Sequence, residues 1–198
     1  ANSLRLEAAL PGESAVPFLL AGGLPVAAGA SPQWRGRLET LESTGRFPAA
    51  LVSPASLVVA PDRFELGEAR IAGEWGRIEL ATTRWTPALV EAKGVARGLA
   101  VRTVTRLLRL RQAPSSNLVL DAAWDLRAGE TVEGFAQVRR ESGDVRVGEA
   151  RLAMGLETLL LRLDAAGGRV KAKAEIRGAQ VGRWTADGEA ALRREAGG

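Results

Sequence analysis

Arg169-Val170-Lys171-Ala172-Lys173-Ala174-Glu175-Ile176-Arg177 is the stretch on which the fold turns: every even position is apolar and every odd one charged. A β-strand sends successive side chains to opposite faces, so this segment has one wet and one dry face. Downstream, Arg183-Trp184-Thr185-Ala186-Asp187-Gly188-Glu189-Ala190-Ala191-Leu192 does much the same. Upstream, Ala165-Ala166-Gly167-Gly168 reads as a hairpin turn fed by the most apolar strand, 156–163. Before that, Leu118, Leu120, Ala122, Trp124 and Leu126 alternate with Asn117, Asp121, Asp125 and Arg127. Ala128-Gly129-Glu130 turns the chain into Val132, Gly134, Ala136 and Val138, and Ser142-Gly143-Asp144 turns it again into Val145 and Val147. Strand-length segments joined by tight turns describe an antiparallel meander with one long apolar surface.

The N-terminal half carries the same signal less cleanly. Residues 4–10 read as a strand, Pro11-Gly12 as a turn and 17–32 as an irregular stretch punctuated by Gly and Pro. Strand character resumes over 34–45, then at 55–59, 63–71 and 75–85, with Trp75 placed on the last of these. The parity of the apolar positions shifts between Leu66 and Ile71, and a bulge or turn at Gly67 would absorb it. Only 99–111 breaks the two-residue period. There Val101, Val104, Leu107 and Leu108 fall at helical spacing opposite Arg102, Arg106 and Arg109, after Gly98 and before Pro114. This predicts a short helix, laid on the sheet or closing one end of it.

Composition narrows the function classes. The 198 residues suffice for one large or two small β domains, and 46% hydrophobic with 25% charged residues excludes disorder. No apolar run reaches the ~18 residues of a transmembrane helix. The apolar stretch 15–30 is interrupted by Pro17, Gly22, Gly23 and Pro25 and lacks a basic leader, so it does not read as a signal peptide. Any targeting element is expected outside this chain. Zero Cys removes disulfide and thiolate chemistry, and zero His removes the commonest general base and metal ligand. The net charge of +4 comes mostly from Arg, and the basic residues alternate along strands instead of clustering, so no nucleic-acid site is expected. Nucleophile-elbow, phosphate-loop and dinucleotide motifs are absent, and Glu141-Ser142-Gly143-Asp144 reads as a polar hairpin tip, not a catalytic carboxylate pair. The expectation is a protein that is not an enzyme, with no cofactor and no metal.

Several stretches, taken in order, resemble the TamB family of translocation and assembly proteins of the Gram-negative envelope. They are Trp34-Arg35-Gly36-Arg37-Leu38-Glu39-Thr40-Leu41, then Pro54-Ala55-Ser56-Leu57 with Leu66-Gly67-Glu68-Ala69-Arg70-Ile71-Ala72-Gly73, and Trp124-Asp125-Leu126-Arg127-Ala128-Gly129-Glu130. Arg140-Glu141-Ser142-Gly143-Asp144-Val145 and the hairpin 156–182 complete the set. The resemblance implies a periplasmic segment, 1–198, of a longer AsmA-like bridge protein anchored in the inner membrane. Its outer-membrane barrel partner, of the TamA type, would be engaged through regions outside this chain, and the family offers no catalytic residues to carry over.

The implied fold is all-β: a curved antiparallel meander (a β-taco, or half-open barrel) with an apolar concave face and one short helix. It would be strand-rich over 1–96 and 117–194 and monomeric as part of its parent. The expected partner is phospholipid, its acyl chains held in a groove lined by Leu118, Leu120, Trp124, Leu126, Val132, Val138, Leu159, Leu161, Leu163, Val170, Ile176, Trp184 and Leu192. Leu57, Val59, Phe64, Leu66, Ile71, Ile78 and Leu80 would extend it. The competing function is a scaffold for outer-membrane barrel assembly by strand addition at the edges, 4–10 and 184–192. On pattern alone a β-sandwich remains open. A transmembrane barrel fits less well, because the chain has no Tyr for an aromatic girdle.

Overall fold

The computed structural model describes residues 3–10, 14–23, 33–44, 48–107, 115–148 and 151–192. The architecture is antiparallel and almost wholly β, with one short helix. The chain divides into two compact units, Ala1–Ala96 and Arg97–Gly198.

In the first unit, β1 (Ser3–Leu10), β2 (Ser14–Gly23) and β3 (Trp34–Ser43) pair in sequence order. The expected irregular stretch is therefore strand as far as Gly23. Its prolines misled the reading, yet Pro17 sits outside the residues of β2 that pair with β3, so no ladder donor is missed on that side. Residues 24–32, like the turn at Pro11-Gly12, lie outside the described residues.

Next, β4 (Ala49–Ser53) and β5 (Ala55–Ala60) are two halves of one strand interrupted at Pro54, which has no N–H for the ladder. Returning antiparallel to them, β6 (Arg63–Leu66) and β7 (Ala69–Gly73) are interrupted at Gly67-Glu68, and β8 (Gly76–Thr86) pairs with both. The register aligns Leu57 with Leu66 and Val59 with Phe64, and in the other half Leu51 with Ile71 and Ile71 with Ile78. The parity shift read from the sequence is thus absorbed where it was expected, and Gly67 N still donates to Ser56 O at 2.9 Å. Trp75 is not on a strand. It sits in the turn before β8, with its indole Nε1 donating to Pro48 O at 3.1 Å.

The longest described strand, β9 (Leu89–Ala100), falls mostly in the stretch expected to be strand-rich, but no separate strand was read there. Its even positions include Ala92, Gly94, Ala96 and Gly98, too small to register as a hydrophobic stripe. It also takes the first two residues of the expected helix. Val101 N donates to Leu118 O at 3.0 Å, so sheet pairing persists to that point and α1 runs only over Val101–Leu107. Arg102 and Arg106 are exposed on it, as the helical spacing requires, while 108–111 fall outside the described residues.

In the second unit β11 (Val119–Ala128), β12 (Val132–Ser142), β15 (Leu156–Ala166), β16 (Arg169–Gly178) and β17 (Gly182–Ala191) form the meander, each antiparallel to the next. A three-stranded side sheet of β10 (Ser115–Ser116), β13 (Val145–Val147) and β14 (Leu152–Ala153) accompanies it. Gly167 and Gly168 have φ of 56° and 73°, the paired left-handed residues of a two-residue hairpin whose twist matches its strands. In the hydrogen-bonded order of the described strands the terminal ones are β1 and β17. Among the described residues the buried apolar ones are few, and half are alanine: Ala55, Leu57, Ala69, Ala96, Leu118 and Leu156. No large side chain among the described residues is fully buried. Among those residues no helix is long and apolar enough to cross a membrane.

Candidate functional site

Because side chains alternate, the pairing register states which residues share a face. In the second unit Leu126 lies opposite Gly134, Trp124 opposite Ala136 and Ala122 opposite Val138. From β12 the same face continues through Ala136 to Leu163 and Val138 to Leu161, then through Leu161 to Ala174 and Leu159 to Ile176, ending with Ile176 to Trp184. Val132 pairs with Ala128, and Val170 joins Ala165 to Ala190. Thus Leu120, Trp124, Leu126, Val132, Val138, Leu159, Leu161, Leu163, Val170, Ile176 and Trp184 are gathered on one face of five consecutive strands, with Arg140 opposite Leu120 at its end. Leu192 follows just past β17, its N–H bonded to Gly168 O at 2.8 Å.

This face is open. Leu161 is 44% exposed and Trp184 68%, and Leu163, Ile176 and Leu192 are exposed as well. Its centre is a depression of about 320 Å³ walled by Trp124, Leu126, Val138, Leu161 and Leu163, with Ala122 and Ala136 among its lining. Those two alanines were not counted as lining from the sequence, although their even positions mark them. Their small size beside larger neighbours is what makes the hollow. Leu118 departs from the expectation in a different way. It is buried beside the side sheet, where Ser116 Oγ accepts its N–H at 3.0 Å.

The opposite face is polar and self-paired. Asp121 and Arg139 meet at 3.2 Å, Arg169 and Glu189 at 3.0 Å, and Arg177 and Glu157 at 3.0 Å. Arg162 bonds Asp164 at 2.7 Å and Gln137 at 3.2 Å, and lies 4.7 Å over the Phe135 ring. Hydrogen bonding to Arg162 holds the Asp164 carboxyl below its ordinary range. One aromatic on the wet side is therefore covered by a cation.

Asp144 is more than a hairpin tip. Its carboxylate accepts backbone N–H groups from Val145 (2.8 Å), Gly155 (2.8 Å) and Leu156 (3.1 Å), tying the end of β12 to β13 and the start of β15. Partial burial pushes this carboxyl up. The donors from Leu156, Gly155 and Val145, with Arg140 nearby, outweigh that and leave it below the usual carboxylate range. The group is structural: all its strong partners are main-chain donors.

In the first unit the apolar sets lie on either side of the interruption: Leu57, Val59, Phe64 and Leu66 in one half, Ile71, Ile78 and Leu80 in the other. Leu57 is buried and Val59 exposed. On the polar positions, Glu65 takes Arg63 at 2.8 Å and Arg84 at 2.6 Å, and Arg84 reaches Glu91 at 3.3 Å. Hydrogen bonding from Arg63 leads the causes that lower the Glu65 carboxyl. Among the described residues no group of His, Cys, Asp and Glu is arranged to hold a metal ion. No family model, no curated protein and no solved structure matches the chain.

Proposed function

We propose that this chain is a non-enzymatic segment of a periplasmic lipid conduit, shielding phospholipid acyl chains on its apolar face as they pass between the inner and outer membranes of a Gram-negative cell. One observation carries the reading. Five consecutive strands of the second unit place most of their large apolar side chains on a single face, which stays exposed, with Phe135 and Leu160 on the other. Contiguous apolar surface much beyond a few hundred Å² marks a binding site or a liability. The side chains here surround a hollow instead of filling it. Burial of acyl methylenes supplies the affinity, at about 0.8 kcal/mol each. The walls offer no fixed charge, so the site discriminates little between headgroups. Periplasmic location, the inner-membrane anchor of the parent and the outer-membrane barrel partner rest on the resemblance to the TamB family.

The test is photo-crosslinking in cells, with probes at Leu120 and Leu161 on the dry face and at Arg127 and Lys171 on the wet one. Phospholipid captured only by the first pair, and phospholipid found by mass spectrometry with the purified chain, support the conduit. Capture only by the second pair, or a lipid-free protein that takes up none from vesicles, refutes it. If Thr185→Pro abolishes activity in cells while Leu161→Asp leaves it intact, strand addition replaces the conduit as the function.

A further inference from the structure

The outer edge of β17 is a main-chain ladder with a self-complementary charge pattern. Leu192 N bonds Gly168 O at 2.8 Å, and the register from Arg169–Ala191 to Gly178–Gly182 continues that pairing. In an antiparallel ladder the bonded residues alternate, so the even positions of β17 direct their N–H and C=O groups toward β16. The odd positions, from Arg183 to Glu189, direct theirs away from it. Among the described residues no strand takes those groups, and every residue of β17 is exposed. Long, unblocked edges of this kind pair with further strands.

We propose that this edge docks a second copy of the chain, β17 against β17, antiparallel about a two-fold axis at Ala186. In that register Arg183 of each copy lies opposite Glu189 of the other, and Thr185 opposite Asp187, all at bonded positions. Trp184 lies opposite Gly188, whose missing side chain faces open space and leaves room for an indole. Neighbouring registers are worse: moving the axis to Asp187 sets two Asp187 carboxylates against each other, and moving it to Gly188 sets Asp187 against Glu189. Moving it to Thr185 still sets Arg183 against Asp187, but it shortens the paired stretch and carries Glu189 past the end of the partner strand. Charge and length of overlap together select the register. Because even positions share the apolar face, the joint also carries that face across the two copies. The inference stands whether or not the face binds lipid.

The chain has no cysteine, which makes the test clean. Ala186 sits at a non-bonded pair, where Cα atoms approach to about 4.5 Å, within disulfide range. Under mild oxidation Ala186→Cys is expected to give a covalent dimer at least tenfold faster than Asp187→Cys; equal rates, or the reverse order, overturn the register. Sedimentation supplies the second arm. Arg183→Glu alone and Glu189→Arg alone each set like charges opposite and are expected to remain monomeric. Their equimolar mixture restores both pairs and is expected to dimerise as the unmodified chain does. Both residues are exposed, and the pairs they make within the chain, Arg183 with Glu175 at 3.7 Å and Glu189 with Arg169 at 3.0 Å, are surface pairs of small worth, so folding is kept, as circular dichroism would verify. An unmodified chain that stays monomeric at millimolar concentration, or a mixture that does not associate, refutes the proposal.

Discussion

Replacing Leu161 by Asp separates the stability of the sheet from the affinity of its apolar face. Leu161 stands between Val138 and Ala174 and forms part of the wall of the hollow, yet it is 44% exposed. Full burial of a leucine is worth about 1.5–3 kcal/mol, so a side chain little more than half buried contributes roughly 1–1.5 kcal/mol to folding. For a chain of this size about 1 kcal/mol moves the melting temperature by roughly 2–4 °C, so a fall of about 2–6 °C is expected. The effect on an acyl chain is larger. A carboxylate at the wall displaces three or four methylenes, a loss of about 3 kcal/mol before any desolvation of the charge. That corresponds to roughly a hundredfold in affinity. The assays are displacement of a fluorescent fatty acid, lipid retained through purification, and thermal melting by circular dichroism. Lys173→Ala on the wet face is the control, expected to leave binding unchanged. If Leu161→Asp binds within threefold of the unmodified chain, the hollow is not the site. If it unfolds outright, Leu161 belongs to a core and the argument from exposure fails.

Two further perturbations test the supports of that face. Asp144→Asn replaces a carboxylate that accepts three main-chain N–H groups and should destabilise the second unit by about 2 kcal/mol at neutral pH, read from urea unfolding. Its folded-state pKa is depressed, so its contribution is complete above the ordinary carboxylate value and is lost as pH falls through the folded one. The gap between Asp144→Asn and the unmodified chain should therefore close below about pH 4; a gap independent of pH would show that the charge is irrelevant. Gly168→Ala forces a side chain into φ of 73° at the β15–β16 turn and should cost roughly 1–2 kcal/mol in chemical denaturation. Lipid affinity should stay unchanged, and no loss of stability would mean the turn re-forms in another geometry.

Much of this fold was legible because strand period is a local property. In 169–177 apolar and charged residues alternate without interruption and in 183–189 polar residues hold every odd position, and the observed register places the even positions of both on one face. The turn at Gly167-Gly168 and the shift at Gly67 were readable for the same reason, since each is set by residues adjacent in sequence. Where the period is carried by Ala and Gly, as in β9, or broken by Pro, as in β2, the local signal fades and pairing with neighbours decides. Trp75 went astray because a tryptophan in a turn and one on a strand look alike until the distant Pro48 carbonyl that takes its N–H is known.

The sequence by itself determined that this chain makes two-faced strands, where its principal turns fall, and that Cys and His chemistry is unavailable to it. Only the tertiary structure decided which of those strands lie side by side. That pairing gathered the dry faces of five strands into one surface with a hollow at Ala122 and Ala136, buried Leu118 away from it, and turned Asp144 from a turn residue into a tie between strands. The physical reason is one of range. Alternation within a strand is fixed by the backbone geometry of successive residues. The identity of a cross-strand neighbour depends on hydrogen bonds between segments far apart in the chain, and a slip of one residue would exchange the two faces.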